Sequence, residues 1–80
     1  MQTREHRTFY RVLAEARVAA GLTQRDLAQR LKRPHSYVAK IECGERRVDV
    51  VEFVEFARAL KVDAGKLFAK VTAASSPAAR

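Results

Sequence analysis

The sequence predicts an all-α domain, a compact bundle of five short helices. Apolar residues recur at three- and four-residue spacings, and no segment alternates with the two-residue period of a strand. Good N-cap residues stand ahead of several of these segments, and glycines close two of them. The chain has 80 residues, room for one domain, and 48% of them are apolar, enough for a real core.

The first helix is expected from about Thr8 to Ala20, with Phe9, Leu13 and Ala16 on one stripe and Gly21 as its stop. The second begins at Thr23, an N-cap with Asp26 three positions on in the manner of a capping box. Its apolar face is Leu27, Ala28 and Leu31. The third lies within "PHSYVAKIECGERR" (34–47), where Pro34 suits a first turn whose N–H groups lack helical partners. Val38 and Ile41 anchor it inward, and Gly44 ends it.

Asp49 caps a fourth helix, with Glu52 at its third position. Val50, Phe53, Val54, Ala57 and Leu60 form a broad stripe expected to be buried, with Phe56 beside it. Asp63 caps a short fifth helix carrying Leu67, Phe68 and Val71. Residues 1–7 are expected to be a flexible segment, 8–71 the folded domain, and 72–80, "TAASSPAAR", a disordered tail.

Charge is unevenly placed. The net value is +7 and the pI near 10.3. Residues 1–47 hold eleven Lys/Arg against five Asp/Glu, whereas residues 48–80 hold five against four. That pattern suits one face meeting a polyanion, and on charge alone it equally suits a solubilising surface. The lone Cys43 excludes an intrachain disulfide, and no Cys/His cluster has metal-ligand spacing. "MQTREHRTFYRV" (1–12) lacks the apolar run of a signal peptide, and no stretch approaches a membrane span. A cytoplasmic protein without metal, cofactor or evident small-molecule effector is expected. No nucleophile, base and phosphate loop fall in a workable arrangement, so an enzyme is not expected.

Only Lys32 to Pro34 join the second and third segments, and so short a link forces a sharp crossing. Ala28 permits close approach. The third helix then points His35, Ser36, Tyr37, Ala39 and Lys40 outward, a row suited to the DNA major groove, which admits one helix.

Residues 13–68 resemble the XRE family of helix-turn-helix proteins, which includes lambda-type phage repressors. The resemblance is carried by "GLTQRDLAQRL" (21–31), "YVAKIECGERR" (37–47) and "VVEFVEFARALKV" (50–62). It implies a lambda-repressor-like fold, sequence-specific binding of double-stranded DNA, and a homodimeric transcriptional regulator acting on an inverted repeat. It places Gln24 as a phosphate clamp and Arg46 and Arg47 as further backbone contacts; Arg25, Lys32 and Arg33, basic residues of the second helix and the turn after it, are added as phosphate-binding candidates of this chain's own. His35, Ser36 and Lys40 take base-reading positions, Lys40 meeting either a guanine edge or a phosphate, and Tyr37 either joins them or packs beside the core. Arg17 and Glu42 match an ion pair tying the first helix to the end of the third.

Three positions depart from the family pattern. Lys32 stands where glycine is frequent, in a turn that wants a left-handed backbone. Arg33 replaces a commonly apolar residue, and Pro34 the usual serine or threonine cap. Val62, Leu67, Phe68 and Val71, in the nearly neutral C-terminal part, are the candidate dimer surface. The competing reading is an antitoxin-type or adaptor protein; the short, weakly hydrophobic tail and the basic face argue against it.

Overall fold

The computed structural model describes residues 3–75, which form five helices and, among those residues, no strand. They are α1 (Arg4–Ala19), α2 (Gln24–Arg30), α3 (Ser36–Glu42), α4 (Val50–Leu60) and α5 (Ala64–Ser75). α1 packs on α5 and α3, α2 on α3 and α4, and α4 on α5.

Side-chain caps fix most of the starts. Thr23 and Asp26 form the expected capping box on α2, and Asp49 and Glu52 form a second on α4. Asp63 Oδ1 accepts from the N–H of Lys66 at 2.9 Å at the start of α5. α1 begins earlier than its apolar stripe suggests, because Thr3 accepts from the N–H of His6 at 3.1 Å. Residues 4–7, expected to be flexible, are therefore its first turn. At the other end, residues 72–75 continue α5 rather than opening a tail. The expectations for residues 1–2 and 76–80 fall outside the described residues.

Four helices end in the same reverse turn. Its 6→1 hydrogen bonds run from Leu22 N to Arg17 O, Arg33 N to Ala28 O, Glu45 N to Lys40 O, and Val62 N to Ala57 O. Gly21 and Gly44 supply the left-handed residue in two of these turns, Lys32 and Lys61 in the others, at φ of 57° and 59°. The lysine at 32 does adopt the backbone anticipated for it.

Leu13, Leu27, Val38, Ile41 and Phe56 are the most enclosed large side chains of a core drawn from all five helices. On α1 the core also takes Tyr10 and Val12, while Phe9 and Ala16 are only partly buried. The stripe expected on α4 needs correction. Phe56, Ala57 and Leu60 set its inward direction, Val54 falls on the flank, and Val50 sits in the first turn; both valines are exposed.

Candidate nucleic-acid interface

The turn between α2 and α3 is closed by its backbone. Lys32 N bonds to Gln29 O and Arg33 N to Ala28 O, both at 3.0 Å. Pro34 precedes α3, and its carbonyl accepts from Tyr37 N at 2.9 Å. His35 leads into α3 with helical dihedrals and no side-chain cap. Val38 and Ile41 are 0% exposed, whereas His35, Ser36 and Lys40 on the same short helix face solvent.

An ion pair anchors the far end of α3. Arg17 Nε and Nη2 meet Glu42 Oε2 and Oε1 at 2.7 and 3.1 Å, a two-pronged pairing between side chains only 14% and 11% exposed. Arg17 Nη1 also donates to Leu22 O at 2.8 Å, so α1, the α1–α2 link and α3 share one guanidinium. Gln24 Nε2 donates to Glu42 Oε1 at 2.8 Å. The expected phosphate clamp is thus held by the ion pair, with the second N–H of its amide left over.

At the near end, Arg25 Nη2 and Nε approach His35 Nδ1 at 3.0 and 3.3 Å. The guanidinium can only donate, so Nδ1 is the acceptor of this contact.

Of the two readings open for Tyr37, the structure shows packing with the core and corrects its place in the outward row: it is 6% exposed and its ring lies 6.2 Å from the ring of Phe56. Its hydroxyl donates to Glu52 Oε2 at 3.3 Å. The guanidinium carbons of Arg33 and Arg46 stand 5.0 and 4.7 Å from the ring centroid. Burial, and then the nearby Glu52 carboxylate, push the Tyr37 phenol above its ordinary pKa.

Glu52 is the functional residue that sequence reasoning missed. It closes the α4 capping box through Asp49 N at 3.0 Å and accepts from Arg46 Nη2 at 2.9 Å. The Arg46 hydrogen bond, then the backbone bond at Asp49, hold its carboxyl at about 2. Only its cap role is visible in local spacing; its bonds to Arg46 and Tyr37 cross between elements. Arg46 also donates to Arg47 O at 2.9 Å, Arg33 meets Glu55 at 3.4 Å, and the side chains of Lys32 and Arg47 are exposed.

The candidate dimer residues divide. Leu67 is 3% exposed and part of the core, so it cannot serve a partner, and Val71 packs against that core in a partly buried position. Phe68 and Val62 are exposed, and Phe68 meets the ring of Phe53 edge-on at 6.1 Å. Among the described residues no group of acids, histidines and cysteine is placed to hold a metal, and no helix is long and apolar enough to cross a membrane.

Two crossed short helices, the second with a buried anchor and an exposed polar row, define a helix-turn-helix DNA-binding domain. A family model for a helix-turn-helix domain matches residues 9–69. The solved structure of an XRE-family like protein from Pseudomonas syringae pv. tomato str. DC3000 is similar at 44% identity and a TM-score of 0.81. That match covers 90% of this chain and 88% of the other. The search of curated proteins gives no match. The chain belongs to the XRE family of helix-turn-helix DNA-binding proteins.

Proposed function

We propose that the protein is a dimeric transcriptional regulator that reads an inverted-repeat operator with α3 in the major groove. The observation carrying this reading is the division within α3: fully enclosed Val38 and Ile41 on one side, exposed His35, Ser36 and Lys40 on the other. His35 presents Nε2–H, and Lys40 its ammonium, to the acceptor-rich edge of guanine; Ser36 donates or accepts. Gln24, Arg25, Lys32, Arg33, Arg46 and Arg47 meet phosphates on either side of the groove.

One such helix spans few base pairs, and each good contact discriminates by about 1–3 kcal/mol, too little to find one site in a genome. A two-fold dimer doubles the readout and places half-sites roughly 34 Å apart. Phe68 supports self-association, because it lines an apolar groove with Phe9, Phe53, Val50 and Val54. Val62 is the second exposed candidate.

Selection of bound duplexes from a random pool tests the reading. The expected product is an inverted repeat with half-site centres about one helical turn apart; enrichment of no sequence would reject it. On the selected site, Lys40→Ala should weaken operator binding far more than random-duplex binding. Arg46→Ala should weaken both alike and flatten the salt slope by about 0.9.

A further inference from the structure

Two arginines bracket the recognition helix, and one aromatic ring holds both. Arg33 precedes α3 and Arg46 follows it, yet each guanidinium lies within 5.0 Å of the Tyr37 centroid. A cation at that distance is attracted by the negative face of the ring. The ring is itself fixed, because it is buried and its hydroxyl bonds Glu52 Oε2, the oxygen that also accepts from Arg46. Glu55, three residues along the same face of α4, meets Arg33.

These contacts orient the two arginines without exhausting them. Each guanidinium has a rigid fan of N–H donors; Arg33 uses one nitrogen toward Glu55, and Arg46 uses two, toward Arg47 O and Glu52. The two charges lie within about 10 Å of each other, and phosphates recur every ~3.4 Å of helix axis along a DNA strand. A planar cation therefore waits at each end of α3, and the carboxylates of Glu52 and Glu55 hold the pair together against mutual repulsion until phosphates arrive.

We propose that Tyr37 is a positioning residue, a buried ring pinned by Glu52 that sets Arg33 and Arg46 as a paired clamp for the DNA backbone. The clamp rests on the major-groove reading of α3 given above. Its contribution is independent of base sequence, because the ring acts only through groups that meet phosphates.

The test uses a random-sequence duplex, with urea unfolding measured in parallel for every variant. Arg33→Lys combined with Arg46→Lys keeps both charges but loses the flat cation that stacks on a ring. That variant should bind about tenfold more weakly at fixed salt while staying folded. Tyr37→Phe keeps the ring and should remain within about threefold of the parent. Tyr37→Leu should lose about as much as the double lysine variant, and adding it to that variant should cost nothing more. Double-lysine binding within about twofold of the parent, or losses that add in the combined variant, would overturn the clamp. Should Tyr37→Leu fail to fold, the double lysine variant decides alone. A parent protein that binds no duplex at low salt would instead remove the major-groove reading itself.

Discussion

α3 and α4 are both short amphipathic helices, and they are held in opposite ways. Both end in a left-handed turn, at Gly44 and Lys61, but only α4 is punctuated in front, by the capping box of Asp49 and Glu52. α3 has seven residues and no side-chain cap at its start, far below the length at which an isolated helix persists in water. It exists because Tyr37, Val38 and Ile41 are buried beneath it and Glu42 is gripped by Arg17 and Gln24. α3 is fastened from behind, which leaves the polar side chains of its outer face uncommitted to its own ends.

That contrast can be broken from the α3 side first. Ile41→Ala removes a fully enclosed anchor and should cost about 3–4 kcal/mol. Val51→Ala, on the exposed face of α4, should stay within about 0.5 kcal/mol. Urea titrations of the two compare them directly. Glu42→Ala should cost about 2–3 kcal/mol, since it strands Arg17 in a site that is only partly solvated. Its DNA binding should be lost only in proportion to unfolding; an unchanged melting temperature with abolished binding would contradict the tie.

Acid probes the link between the two helices. The Glu52 carboxyl is held at about 2 in the folded protein against an ordinary 4.5. The unfolded chain therefore takes up the proton first, so this stabilisation is complete above about 5 and drains away as pH falls toward 2. Glu52→Gln should flatten that limb of the stability curve, measured by urea midpoints at each pH. An acid limb as steep as the parent's would place the sensitivity elsewhere.

The smallest effect concerns the two lysines with left-handed backbones. Lys61→Gly should stabilise by about 0.5–1 kcal/mol and leave DNA affinity unchanged. Lys32→Gly should gain a similar amount and lose a phosphate contact, seen as a salt slope shallower by about 0.9. Equal DNA affinity for both glycine variants would remove Lys32 from the interface.

What could be read in the sequence was local. The caps at Thr23, Asp49 and Asp63 follow from side chains that reach backbone groups three residues away, whereas the left-handed turn at Lys32 came from family likeness, glycine being frequent there. The Arg17–Glu42 pair joins residues 25 apart and came from family likeness rather than spacing. Phase was harder. The run of valines and phenylalanines in α4 is apolar almost all round, so periodicity alone did not separate Phe56 from Val50 and Val54. Tyr37 has an apolar body and a polar tip, and only the acid waiting on α4 settles that the tip turns inward. The early start of α1 was hidden because Arg4 and Arg7 give no apolar signal, although Thr3 is an ordinary cap.

An NMR titration of the isotope-labelled protein with the selected operator duplex probes the central claim most directly. The largest perturbations should fall on Ser36, Lys40 and the His35 ring, with smaller ones at Lys32, Arg33 and Arg46. Perturbations centred instead on Phe68 and the α1–α5 side, with the α3 row silent, would contradict it.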